Sequence, residues 1–464
     1  MRKKENGNLT EGPILSVLTK LALPIVASAF LATAYNITDM AWVGMLGAES
    51  IAAVGVGGMY VWLSQGLAAL TRMGGQVYVA QSLGGGEREK AKGYAEAAIW
   101  LAILLGVIFG ASCIVFANPL VSFFQLEDAN AILSARSYLR IVCGPVVFSY
   151  LSLVLTGLYT AQGDSQTPLK ANFIGLVMNM ILDPLVILGI GPFPRLEVTG
   201  AAIATTFSQF VVLVVLVAMI WSKKTMQNLL REIQLFKIPE MSYVIQVVKM
   251  GGPTALQSTL YCMFSMVLSR MVSSFGDKAI AVQRVGGQVE SISWNVADGF
   301  SSALNAFSAQ NYGARKMERV KRGYSISAST AFVWGALVAL VFLIFPKQIS
   351  NIFFHEAEVI ETSIDYLRII GLGEAFMCWE LIAIGAISGM GNTKICSMIS
   401  ILLTGMRIPL AMVLSRTGLG LNGIWWALTL SSLLKGLVFH LTFKREWKKA
   451  NRGIWKKANR GISD

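Results

Sequence analysis

Charge is scarce in this chain. Asp, Glu, Lys and Arg make up 14% of its 464 residues, against about 25% in ordinary soluble domains, while 54% are hydrophobic and the mean hydropathy is +0.59. Histidine occurs twice, at His355 and His440, and both read as loop or interfacial residues. The five cysteines include no CxxC pair and none stands beside a histidine, so neither a metal site nor a disulfide framework is expected. No GxxxxGK[ST] loop is present, which argues against ATP-driven chemistry, and neither a cofactor nor an enzymatic activity is expected. MRKKENGNL leads into apolar sequence without a small-residue cleavage site, so the first apolar run is expected to persist in the mature protein.

What the chain has in quantity is apolar sequence. Twelve runs are long enough to cross a bilayer at about 20 residues per span: roughly 15–45, 51–80, 93–117, 133–160, 169–191, 198–221, 243–273, 279–310, 323–346, 363–390, 395–416 and 423–443. Helices satisfy their own backbone in lipid, so the expected fold is an all-α polytopic membrane protein. The net charge of +13 follows the loops rather than forming a nucleic-acid surface. Alternate loops hold clusters such as Arg88, Lys90 and Lys92, or Arg315, Lys316, Arg319, Lys321 and Arg322, and the positive-inside rule then makes both termini cytoplasmic. The expected partner of this basic charge is the bilayer and its anionic heads, not nucleic acid.

The chain is also a duplication. At a spacing of 229, Lys20 pairs with Lys249, Pro24 with Pro253, Gly47 with Gly276, and Val56-Gly57-Gly58 with Val285-Gly286-Gly287. With a one-residue shift, Tyr138-Leu-Arg-Ile141 pairs with Tyr366-Leu-Arg-Ile369. Each half holds six spans, so the second half enters from the same side as the first, as in carriers built from parallel repeats. The expected division is an N-terminal six-helix lobe (1–221), a basic cytoplasmic linker (222–242), a C-terminal six-helix lobe (243–443) and a basic cytoplasmic tail (444–464). That tail carries WKKANRGI twice, at 447–454 and 455–462, and reads as solvated or interfacial.

Two acids in the first half stand out. Asp39 lies in an apolar span, where a central carboxylate costs roughly 2.5–3.5 kcal/mol and therefore faces protein or water. It sits eight residues before the outer end of its span, roughly 12 Å deep, and Asp183, thirteen residues above Lys170, lies roughly 20 Å from the inner side. Both depths fall in the outer half. Tyr35 and Asn36 precede Asp39 by four and three residues and Asn179 precedes Asp183 by four, which puts polar company on the same helix faces. Two carboxylates in a dry pocket cannot both ionise cheaply, so at least one is expected to take a proton. The second half lacks both acids, with Leu268 and Ile408 in their places. It has instead Arg284, Glu290, Asp298, Glu374, Glu380, Arg407 and Lys435, a mixture of signs that favours internal ion pairs over a second cation site or substrate contacts.

Several segments resemble the multidrug and toxic compound extrusion (MATE) transporters, and within them the DinF-like branch: Asp39 with WVGMLGAESIAAVGVGG (42–58), VAQSLGGGEREKAKGY (79–94), TAQGDSQTPL (160–169), NMILDPLVI (179–187) and VTGAAIAT (198–205). The resemblance implies twelve helices in two six-helix lobes around a central cleft, in a bacterial cytoplasmic membrane. It implies secondary active efflux of drug-like, often cationic, compounds in exchange for inward H+, with Na+ the less favoured ion, and a monomer is expected. By motif, Asp39, Asn179, Asp183 and Thr205 would form a first-lobe proton network, to which spacing adds Tyr35 and Asn36. Pro24 would be a protonation-linked hinge or simply a point of curvature. The cleft would draw on Met40, Met59, Tyr60, Trp62, Met263, Phe264, Met266, Trp294 and Phe300, whose soft and aromatic surfaces suit varied organic cations. The alternative within the wider superfamily is a lipid-linked oligosaccharide flippase, which would call for a basic cavity.

Overall fold

A computed structural model describes residues 8–124, 128–222, 228–234 and 238–460. Every regular element among them is helical, and the order repeats. The first half runs α1 (Ile14–Gly44), α2 (Ala48–Gly84), α3 (Arg88–Val115), the short α4 (Ala117–Ser122), α5 (Ala129–Cys143), α6 (Val147–Ala161), α7 (Gln166–Leu188) and α8 (Glu197–Ser222). After a single 3-10 turn at Leu229–Arg231, the second half runs α9 (Met241–Ser273), α10 (Asp277–Gly313), α11 (Met317–Ile344), α12 (Pro346–Phe353), α13 (Ala357–Gly371), α14 (Glu374–Gly389), α15 (Thr393–Gly405), α16 (Arg407–Ser415) and α17 (Leu421–Arg460).

Among the described residues, eight stretches are long and apolar enough to cross a membrane, with α15 and α16 counting as one. Two more spans are bent pairs, α5 with α6 at 42° and α13 with α14 at 45°. Pro145, which has no N–H to continue the ladder, marks the first break. The remaining two, α9 and α10, have 33 and 37 residues and the length to span, but more polar sequence. Twelve spans in two matching sets of six result. The turns between the first two spans of each set are also matched: Gly47 and Gly276 have φ of 107° and 101°, a region that residues with a Cβ rarely enter.

The structure departs from the sequence expectation at the last span. The apolar run ends near 443, yet α17 continues to Arg460, because Lys, Arg, Ala and Trp sustain a helix where hydropathy no longer marks one. Of the expected linker and tail, 223–227, 235–237 and 461–464 lie outside the described residues, as do Arg2, Lys3 and Lys4.

The compact units are drawn differently from a simple cut at the linker. Unit 1 holds 27–255 and unit 2 holds 8–26 with 256–464. Each repeat therefore gives the opening part of its first helix to the other unit, and the two crossings, after Val26 and after Ala255, are themselves 229 residues apart. Packing explains the exchange. Leu18, Leu21 and Ala22 join Ala303, Phe307 and Ala386 in the core of unit 2, and Gly299 leaves room for Val26. Arg319 fixes the preceding segment by donating to the carbonyls of Glu11 at 2.7 Å and Gly12 at 2.8 Å. In unit 1, Gly74 lies against the backbone of Val247, and Gly251 against that of Leu70. Pro24 and Pro253 each fall two residues before a crossing, where the missing N–H weakens the helix.

Candidate functional site

Unit 1 gathers the polar residues of α1, α7 and α8. Asp39 is 8% exposed, and Asn179 and Asp183 are fully buried. Asn179 Nδ2 donates to Asp183 Oδ1 at 3.0 Å, one helical turn away on α7. The Tyr35 hydroxyl, a turn before Asp39 on α1, donates to Thr205 Oγ1 on α8 at 3.0 Å. The two carboxyls are close enough for their charges to act on each other, and both act on Tyr35. The groups acting on Asp183 are Asp39 and Asn179, with no basic side chain among them. Asp39 Oδ1, Asn179 Oδ1 and Asp183 Oδ2 are buried without a hydrogen-bond partner. Three acceptors with nothing to accept are costly in a dry interior, and the cost falls once a proton turns one into a donor.

Asn36 is left outside this group. It is exposed and makes no hydrogen bond with it, because a position three residues before Asp39 rotates to the other flank of the face that Tyr35 shares. A residue that spacing did not supply takes part instead. Tyr138, 5% exposed, feels Asp39, Tyr35 and Asp183, and its ring lies against Gly57 with no room for a Cβ. The signal was present in the repeat, where both Gly57 and the Tyr138-Leu-Arg-Ile141 run recur.

Unit 2 holds its own embedded charges. Lys435 Nζ donates to Glu380 Oε1 at 2.9 Å, and both side chains are buried, so this pair is an internal ion pair. Arg407 donates to the hydroxyls of Ser431 and Ser432 at 3.1 Å each and acts on Glu290, which the Tyr366 hydroxyl approaches at 3.5 Å. Tyr366 lies on Gly286 as Tyr138 lies on Gly57. His440, expected at an edge, is built into this unit, with Nδ1 2.8 Å from the Tyr324 hydroxyl and its ring 4.3 Å from that of Trp379.

The aromatic and methionine residues separate into two groups. Met40, Met59, Trp62, Met263, Met266 and Trp294 are exposed. Tyr60 is committed to the core of unit 1, where its hydroxyl donates to the Leu120 carbonyl at 2.9 Å and its ring meets Phe124 edge-on. Phe300 packs on the core of unit 2 and Phe264 lies beside Gly405.

Two matching six-span sets, each with carboxyls buried among its helices, define a polytopic helical transport protein. Residues 24–185 and 253–413 match the MatE family, and the chain belongs to that family. The two matched stretches begin 229 residues apart, at the two prolines of the repeat. The chain is 28% identical to the probable multidrug resistance protein NorM of Thermotoga maritima over 93% of each chain. It is 26% identical to the FAD transporter of Shewanella oneidensis over 95% of this chain and 97% of that one. A solved multidrug resistance MATE family transporter in an outward-facing conformation superposes with a TM-score of 0.89 at 22% identity, over 97% of this chain and 100% of the other, and shares the fold.

Proposed function

We propose that this chain is a proton-coupled efflux antiporter, which exports small organic molecules from a bacterial cell as protons enter through the Asp39–Asp183 pair. The observation that carries the reading is the set of three orphaned acceptors, Asp39 Oδ1, Asn179 Oδ1 and Asp183 Oδ2, in a buried group whose carboxyls repel each other. A proton entering this group relieves the repulsion and supplies the missing donor, so the loaded and empty states differ in energy where α1, α7 and α8 meet. Tyr35 and Thr205 tie α1 to α8 beside that change, and Pro24 is the point at which α1 can bend in response. The exposed Met and Trp side chains offer an adaptable surface to substrates of varied shape. Both termini lie on the cytoplasmic side, and the protein works as a monomer. The DinF-like placement is supported by the first-half motifs.

Purified protein in liposomes, given H+ and Na+ gradients separately, tests the reading. The substrate panel pairs organic-cation dyes with FAD, because one relative bears that name. A proton gradient is expected to drive substrate movement across the liposome membrane and a Na+ gradient is not. Asp39→Asn protein that folds normally yet transports at the full rate would sink the proposal.

A further inference from the structure

We infer that unit 2 carries a headgroup site for an anionic phospholipid, formed by Lys321 of α11, stacked on the Trp447 indole, with Lys444 and Lys448 of α17. The sequence suggests a solvated or interfacial tail here, and the first copy of the octad is docked. The Trp447 indole N–H donates to the Met317 carbonyl at 2.9 Å, and Lys321 Nζ stands 4.7 Å from the centre of its ring. Lys444 and Lys448 are one turn apart on one stripe of α17, three residues before and one after Trp447, and all three lysines are exposed. Glu446, the acid nearest Lys444 and Lys448 in sequence, is 5% exposed; it accepts from Asn392 Nδ2 at 3.1 Å and lies 4.0 Å from Lys449 Nζ. Three exposed ammonium groups on two neighbouring helices, one of them stacked on an indole, attract an anion.

Depth identifies the anion. Trp447 stands 26 residues after Leu421, so the helix carries it about 39 Å from the outer start of the span. That exceeds the roughly 30 Å of hydrocarbon and remains within the roughly 40–45 Å that includes the headgroups. Trp belongs to that layer, and cytoplasmic-side lysines there meet the negative surface of the inner leaflet. The occupant that fits three cations and an aromatic face at this level is a lipid phosphodiester. The second octad repeats this charge in sequence, with Lys456, Lys457 and Arg460 eight or more residues after Lys448.

The test is native mass spectrometry of the full chain released from micelles that contain equimolar phosphatidylglycerol and phosphatidylcholine. The wild type is expected to retain phosphatidylglycerol preferentially, and Lys321→Gln to weaken that preference about fivefold. Lys321→Gln with Lys444→Gln and Lys448→Gln should abolish it. Lys456→Gln with Lys457→Gln and Arg460→Gln removes the same charge and should leave the preference intact. Equal loss in this control, or no loss in the single Lys321→Gln protein, overturns the site. Inorganic phosphate at equal concentration is expected not to compete, and competition by it would overturn the assignment to lipid.

Discussion

The ring of Tyr138 lies against Gly57 with no space for a methyl group between them, and Tyr366 lies against Gly286 in the same way. Each repeat thus uses a glycine on its second span to seat a tyrosine beside carboxyls that are buried or half-buried. The carboxyls themselves differ: Asp39 and Asp183 act on Tyr138, Glu290 and Glu374 on Tyr366. The seat is a shared inheritance of the duplication and the acids were placed separately.

Gly57→Ala is expected to destabilise the protein by about 1–3 kcal/mol, since the ring must move or the helices part. Gly55→Ala, two residues away with open space at its Cβ position, should be near neutral. Thermal unfolding of the two proteins in one detergent decides the matter, and equal stability would remove the seat from the account.

Tyr35→Phe deletes the hydroxyl that donates to Thr205 at 3.0 Å, a loss of about 1 kcal/mol. Efflux should fall by several fold but persist, because the carboxyls remain. Thr205→Ala should have a similar effect, and the double variant should cost little more than either single change. Initial transport rates at saturating substrate measure all three, and fully additive losses would mean that the bond does not act as a unit.

Lys435→Met strands Glu380 in the core of unit 2, where a broken buried pair costs about 3–5 kcal/mol. Changing Glu380 to Met at the same time should restore most of the stability, since a dry core accepts two apolar side chains. If the double variant unfolds as readily as the single one, Glu380 has a role beyond pairing with Lys435.

Arg88 grips Glu232, which follows the 3-10 turn, with Nη2 to Oε1 at 2.7 Å, and this hydrogen bond holds the Glu232 carboxyl below its ordinary range. A depressed carboxyl stabilises the fold above its unfolded pKa of about 4.3 and loses that contribution as pH falls through the lower folded value. Both side chains are more than a third exposed, so the effect should be at most about 1 kcal/mol. Comparing the melting temperatures of wild type and Glu232→Gln at pH 7 and below pH 4 should show a gap that closes in acid. A gap that widens would reverse the sign.

Hydropathy and repetition alone determined a good deal. The twelve spans, the matched glycines Gly47 and Gly276, and the common depth expected of Asp39 and Asp183 all follow from local patterns, because bilayer thickness fixes span length and helix rise fixes depth. Helical spacing also put Tyr35 beside Asp39 and Asn179 beside Asp183, and in the structure Tyr35 bonds Thr205 and Asn179 bonds Asp183, while Asn36 is exposed outside these bonds. Tertiary structure decided what depends on partners distant in the chain: that Tyr138 joins the carboxyls, that Glu380 finds Lys435. It decided too that residues 8–26 belong with the second half and 241–255 with the first. Apolar pattern says that a segment is buried in something, and only the packing of small residues such as Gly74, Gly251 and Gly299 against particular backbones says in what.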